Sequence, residues 1–388
     1  MKKVAVFIPD WFWSSIPYEG LTMFLHLKNK MKNDVELLMF ENDIRLKRSF
    51  DEKDKAKYRF NKQLFLKENP RLIKDWMEFM TATGDYKLVV TGTHIAPKVR
   101  LPEMLFPELT FKKELKCPLL MTDIGGTDLF VKKIYSTHIC VKGPIWKEYF
   151  IKSGYPAENI FVTGTPQYDY YLHADKIFPV EARPLGRKAF YEKYNILQNK
   201  ELLLVAPSNP GSHKNQFCDN FKTLKRLNHL AKDRNYQILI KTYPNDYVYY
   251  DRSDVYNGIY HRMFQRGSTQ YDLVATQFQN PTIVESQDHF SAIMHSDKMY
   301  NMSGSHVAWE TYYTKCNVYT LNYKKQPYYG GAHYLPEGTR LPDSHFNVHL
   351  KNIEQIFTAK KFPDKNCPEY MTKEFAHENI AKVIEKMI

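Results

Sequence analysis

Residues 118–126 read Pro118-Leu119-Leu120-Met121-Thr122-Asp123-Ile124-Gly125-Gly126. A short apolar run enters Thr-Asp and meets paired glycines, which reads as a buried strand stopping in a loop. In open α/β sheets, ligands bind just outside the carboxyl ends of strands. A carboxylate at that place has two readings. Asp123 can take a proton from a substrate hydroxyl as general base, or it can accept hydrogen bonds from the amides of the following turn.

The chain on either side repeats the pattern. Towards the N-terminus, Val4 to Asp10 reads as a first strand, Leu21 to Met31 as a helix, Val35 to Phe40 as a strand and Tyr86 to Val90 as another. The charged stretch 44–75 reads as helix with exposed faces. Beyond Asp123, His138 to Val141 and Ile160 to Thr163 are strands with a helix at 146–153 between them. A second alternation starts at Glu201 to Ala206 and continues through a helix at 221–231 and the strand Tyr236 to Lys241. Strands at 282–284, 298–302 and 317–321 follow, with helices at 289–295 and 306–314, and an amphipathic helix at 369–388 ends the chain. Strands alternating with helices at this spacing imply parallel sheets covered on both faces. The expected architecture is α/β, with two Rossmann-like doubly wound domains facing a cleft. The expected boundaries are 1–175 for an acceptor domain, 176–198 for a linker, 199–368 for a donor domain and 369–388 for the C-terminal helix.

Composition narrows the classes. The 388 residues are 43% hydrophobic, enough for sizeable cores, and no apolar stretch approaches the roughly 20 residues that span a bilayer. The five cysteines, at 117, 140, 218, 316 and 367, show neither paired nor metal-type spacing. A reduced, cytoplasmic compartment and a monomer are expected. The net charge of +12 favours polyanionic partners, nucleic acid or an anionic membrane surface, although solvated surface lysine would give the same total.

The second half carries the donor chemistry. Ser303-Gly304-Ser305 turns into a helix, and backbone amides at such a terminus suit a phosphate. Glu310, seven residues on, can accept hydrogen bonds from a ribose diol or can cap the helix start. Ser212 and Lys214 follow the strand at 201–206, where the lysine can neutralise a diphosphate. Lys241 and Tyr243 follow the next strand. With Asp123 on the other domain, this is the arrangement of a GT-B glycosyltransferase. The sequence has no Asp-X-Asp pair, no His-Glu-X-X-His, no Cys-X-X-Cys and no Gly-X-X-X-X-Gly-Lys. A divalent metal is therefore not expected at the site, and a P-loop NTPase is excluded by pattern.

Three short stretches carry a resemblance. Ser49-Phe50-Asp51-Glu52, Thr122-Asp123-Ile124 and Trp309-Glu310-Thr311 occur in the order found in the DNA β-glucosyltransferases of T-even-type bacteriophages. The resemblance implies Asp123 as catalytic base and Glu310 on the nucleotide ribose. It also implies a sugar or acceptor pocket with Glu19 and His94, and a DNA-probing loop with Lys98 and Arg100. Lys214 matches the second of that family's two diphosphate arginines, while Pro210 stands at the first, which implies either a different grip on the donor or a different sugar. A second resemblance joins Gly164-Thr165-Pro166 and the 303–310 turn to capsule and teichoic-acid transferases, without their His-Gly-Thr-Pro motif.

The function these readings imply is transfer of glucose or arabinose from a UDP- or cytidine-nucleotide-linked donor. The acceptor would be the hydroxyl of 5-hydroxymethylcytosine in double-stranded phage DNA, with inversion. Transfer to a bacterial surface polymer, or a non-catalytic nucleic-acid-binding scaffold, are the competing readings.

Overall fold

The computed structural model of the chain describes residues 3–8, 16–40, 67–92, 112–122, 135–178, 180, 183–206, 216–241, 282–284, 288–302, 307–321, 347–359, 361 and 368–388; the side chains at 16–19, 33, 216–221, 308, 321 and 347–349 lie outside that description. Two compact units form. One comprises Met1–Arg183 with Cys367–Ile388, the other Pro184–Asn366.

The first unit is built on seven strands: β1 (Val4–Ile8), β2 (Val35–Phe40), β3 (Arg71–Ile73), β4 (Leu88–Thr91), β5 (Leu119–Met121), β6 (His138–Val141) and β7 (Ile160–Val162). Their order is β3-β2-β1-β4-β5-β6-β7, and every pairing is parallel. β1 and β5 are apolar from end to end, β4 is apolar as far as Thr91, and all three are fully buried, as strands covered on both faces must be. On one face lie α1 (Ile16–Met31) and the C-terminal helix α10 (Ala376–Met387). Their Leu21, Phe24, Leu27, Ile380 and Ile384 pack against Val4, Val6 and Val90. On the other face lies α2 (Trp76–Ala82), whose Phe79 stacks on Phe7 at 4.2 Å. The Asp75 side chain caps α2 by accepting from Glu78 N. Beyond β6, α3 (Pro144–Lys152) starts with proline at its first position, where no amide is needed.

The second unit has six strands: β8 (Glu201–Ala206), β9 (Tyr236–Lys241), β10 (Thr282–Val284), β11 (Lys298–Asn301), β12 (Asn317–Leu321) and β13 (Asn347–Leu350). Their order is β10-β9-β8-β11-β12-β13, again all parallel. Among the described residues, α6 (Arg187–Lys193), α7 (Gln216–Lys232), α8 (His289–His295) and α9 (Val307–Glu310) accompany this sheet. In the first unit, α4 (Asp169–Leu172) and α5 (Ala174–Ile177) follow β7. Within 176–198 the chain changes unit after Arg183, and Phe190 and Tyr191 of α6 are buried.

Three expectations need correction. The C-terminal helix, expected over 369–388, runs over Ala376–Met387, and residues 369–375 before it are not helical. Residues 71–73, read as the end of a charged helix, form β3: Leu38 pairs with Arg71 and Phe40 with Ile73, which is fully buried. A three-residue edge strand is too short to show alternation, so its charged flanks dominated the reading. The rest of that expected helix, 44–66, lies outside the described residues. The helix expected at 306–314 is one α-helical turn, α9, continued by a 3-10 turn at Thr311–Tyr313. Strand β13 has no counterpart among the expected elements.

Candidate functional site

In each sheet the strand order reverses beside the first strand. β1 sits between β2 and β4, and β8 between β9 and β11. Adjacent strands whose connections leave in opposite directions open a crevice at their carboxyl ends, the usual place for a ligand in such sheets.

In the second unit the reversal lies between β8 and β11. Asn301 is paired with Ala206, and Met302 N donates to Ala206 O at 3.0 Å. The two strands therefore end level. In the chain, Ser212 and Lys214 come after Ala206, and Ser303-Gly304-Ser305 comes after Met302; these five residues, with Tyr243, lie outside the described residues. Lys241 is the last residue of β9, paired with Val284 and half-buried, one strand away from β8.

Glu310 is the last residue of α9 and is 6% exposed, beside the buried Trp309. Its side chain makes no capping hydrogen bond to the 3-10 turn that follows. Its Oε2 lies 4.0 Å from His289 Nε2, and both side chains are less than a tenth exposed. Sequence reasoning placed His289 at a helix start but gave it no role, since 21 residues separate it from Glu310. A buried carboxylate beside an imidazole can accept hydrogen bonds from a vicinal diol.

In the first unit, Asp123 directly follows Thr122, whose amide donates to Thr91 O at 2.8 Å. This ties the end of β5 to the end of β4. Asp123 itself, and the 93–100 stretch with His94, Lys98 and Arg100, lie outside the described residues. Glu19 lies on the backbone of α1, just after β1 in the chain; its side chain is outside the description. Beside it, Gly20 is held so close to β1 that a Cβ would meet Ile8 Cγ1 at 2.8 Å.

A second polar group in this unit resembles a hydrolytic triad and is not one. Asp169 Oδ2 lies 2.7 Å from His377 Nδ1, and His377 Nε2 lies 3.0 Å from Thr22 Oγ1. All three residues are at most 2% exposed. The carboxylate also accepts from Ala376 N at 3.0 Å and His377 N at 2.8 Å, so it caps α10 from 207 and 208 residues away. Next to it, burial first, and then His377 and Lys30, push His26 down to about 4, against the opposing Glu378. No cluster of three metal-ligating side chains occurs among the described residues, and no described helix is long and apolar enough to cross a membrane.

No family model matches the chain, and no curated protein does. Solved structures do. The UDP-GlcNAc 2-epimerase from Neisseria meningitidis, bound to UDP-GlcNAc, is similar over 100% of both chains at 12% identity and a TM-score of 0.61. The UDP-GlcNAc 2-epimerase from Methanocaldococcus jannaschii is similar over 99% of both chains at 14% identity and a TM-score of 0.58. The fold is GT-B. A glycosyltransferase from Rickettsia africae ESF-5 shares it over 99% of this chain and 98% of its own, at 12% identity and a TM-score of 0.52. At these identities the likeness is one of GT-B architecture, and activity has to be argued from the residues.

Proposed function

We propose that the chain is a nucleotide-sugar-dependent glycosyltransferase that binds a UDP-linked donor at the carboxyl edge of its second sheet. The observation that carries this reading is the level ending of β8 and β11 at the strand-order reversal, with the buried Glu310 on the helix that follows β11. Glu310 would hold the ribose diol, and Ser212, Lys214, Lys241, Tyr243 and Ser303-Gly304-Ser305 would surround the diphosphate. Asp123 would accept the proton of the acceptor hydroxyl as its oxygen bonds to the anomeric carbon. The bond from that carbon to the diphosphate breaks, its electron pair leaves with the diphosphate, and the single displacement inverts the anomeric centre.

The acceptor drawn from the three resembling stretches is 5-hydroxymethylcytosine in duplex DNA. The base would flip out of the stack near Glu19 and His94, while Lys98 and Arg100 contact phosphates. A second reading, transfer to a surface polymer, rests on the resemblance of Gly164-Thr165-Pro166 and the 303–310 stretch to capsule and teichoic-acid transferases. Gly164-Thr165-Pro166, the stretch similar to capsule and teichoic-acid transferases, lies within the described residues. Gly164 adopts φ +82°, and a Cβ there would meet Thr372 Cγ2 at 3.0 Å and Ala376 Cβ at 3.3 Å, so the motif seats the C-terminal segment.

The test is a donor panel incubated with hydroxymethylated duplex, plain duplex and polyol-phosphate acceptors, read by mass spectrometry. Sugar on the hydroxymethylated base supports the first acceptor, and an extended polymer supports the second. Donor epimerised without any acceptor would replace transfer by the activity named for the epimerase neighbours. Asp123→Asn should lower turnover roughly 100-fold or more while donor binding survives; near-normal turnover removes Asp123 from the mechanism.

A further inference from the structure

Helix α7 has a strictly divided surface. Leu224, Leu227, Asn228 and Ala231 are buried, with Leu227 and Ala231 in the core of the second sheet. Its exposed described positions are Lys222, Lys225, Arg226, His229 and Lys232. At 100° per residue these five fall within an arc of about 120°, and they run along about 15 Å of helix. Every exposed described position on the helix is therefore basic or imidazole. Just past its end, Asp233 is followed by Arg234, both exposed.

This stripe is costly to the helix that carries it. Lys222 with Arg226 and Lys222 with Lys225 stand at the spacings where like charges repel, each pair by a few tenths of a kcal/mol. A face that needed only solubility would mix signs. Compensation is small: Glu354 accepts from Arg226 Nε at 2.9 Å and Nη2 at 2.7 Å. Among the described residues, Lys222, Lys225 and Lys232 have no ion-pair partner. Among the described side chains of the stripe and its flank, five cations stand against two carboxylates, Asp233 and Glu354.

The chemistry of the stripe selects its partner. The uncommitted cations are all lysines, hydrated point charges on flexible stems, while Arg226, the residue suited to bidentate phosphate contact, is held by Glu354. No asparagine, glutamine or aromatic residue stands at the exposed described positions to read or stack on a base. The apolar face is packed in the core, so the helix cannot insert into lipid and offers charge alone. We propose that the outward face of α7 is a docking surface for an anionic phospholipid membrane, held by lysine–headgroup attraction without insertion. It stands independently of the donor site and of the acceptor's identity.

The test is sedimentation of the full chain with phosphatidylcholine vesicles, with and without phosphatidylglycerol. The wild type should partition onto the anionic vesicles and be released by salt. The variant Lys222→Gln/Lys225→Gln/Lys232→Gln should partition roughly 100-fold more weakly, from about a factor of five per cation near the surface. Its melting temperature should be unchanged or slightly higher, since like-charge repulsion is relieved. A control with the same loss of charge at scattered exposed sites, Lys152→Gln/Lys188→Gln/Lys351→Gln, should bind nearly as the wild type does. Equal binding to both vesicle types, or equal loss in the stripe and control variants, overturns the proposal. So does a stripe-dependent preference for duplex DNA over anionic vesicles, which would make the face a nucleic-acid surface.

Discussion

The two sheets have the same parallel construction and are closed in different ways. The first is completed by the far end of the chain: α10 packs on β1 and β4 and is fastened by Asp169, His377 and Thr22, with up to 355 residues between partners. The second is closed by nearer contacts. Lys298 donates to Ile356 O at 2.8 Å and Phe357 O at 3.1 Å, and Asp288 accepts from Lys193 at 2.6 Å and from Tyr194 at 2.5 Å. The difference is one of wholeness. The Pro184–Asn366 unit is a continuous stretch of chain, whereas the first unit is incomplete until residues 367–388 arrive.

The sharpest way to break this comparison is Asp169→Ala. It strips the cap from α10 and leaves two amides and an imidazole buried without their acceptor, a loss of about 3–5 kcal/mol. Hydrogen exchange should show β1 and β4 losing protection while β8 and β11 keep theirs. Equal loss in both sheets would mean that the units do not stabilise separately.

Acid should act on the same place. His26 is held at about 4 in the folded chain, mainly by burial, against its ordinary value of 6.5. Unfolded chains take up this proton as the pH falls through 6.5, while the folded chain resists it until about 4. Stability is therefore full above 6.5 and is lost across that window, by up to about 3 kcal/mol. His26→Leu should flatten this part of the pH dependence of unfolding, and an unchanged profile would assign acid sensitivity elsewhere.

In the second unit the expected effects are on binding. Glu310→Ala should weaken UDP-sugar affinity by about 1–3 kcal/mol, measured by calorimetry. A lower melting temperature with unchanged affinity would make the His289–Glu310 pair purely structural. The smallest effect belongs to the exposed Arg226–Glu354 pair. Arg226→Ala should cost no more than about 1 kcal/mol, less at high salt, with no change in β1 or β4 protection.

Much of the fold could be read from local sequence. His138–Val141, Glu201–Ala206, Tyr236–Lys241, Thr282–Val284 and Asn317–Leu321 form strands over the residues the pattern indicates. Strands buried on both faces are short apolar runs bounded by polar turns, and that signal survives without neighbours. The candidate site was legible in part, because loops after strand ends are where ligand chemistry collects, and Glu310 lies on the helix following β11.

The tertiary structure decided the remainder. β3 (Arg71–Ile73) and β13 (Asn347–Leu350) carry charged or polar residues within or beside very short runs, and are strands because β2 and β12 offer them an edge. His289 meets Glu310, and Asp169 meets His377, only once the sheets have gathered helices that lie far apart in the chain. The amphipathic pattern alone set α10 out as a helix. Which sheet it would complete was settled by the apolar face of β1 and β4 that α10 covers beside α1 with Ile380 and Ile384, and by a carboxylate 207 residues upstream placed to receive its first amides. Periodicity is a property of neighbouring residues and is written in the sequence; closure joins residues that the sequence keeps apart.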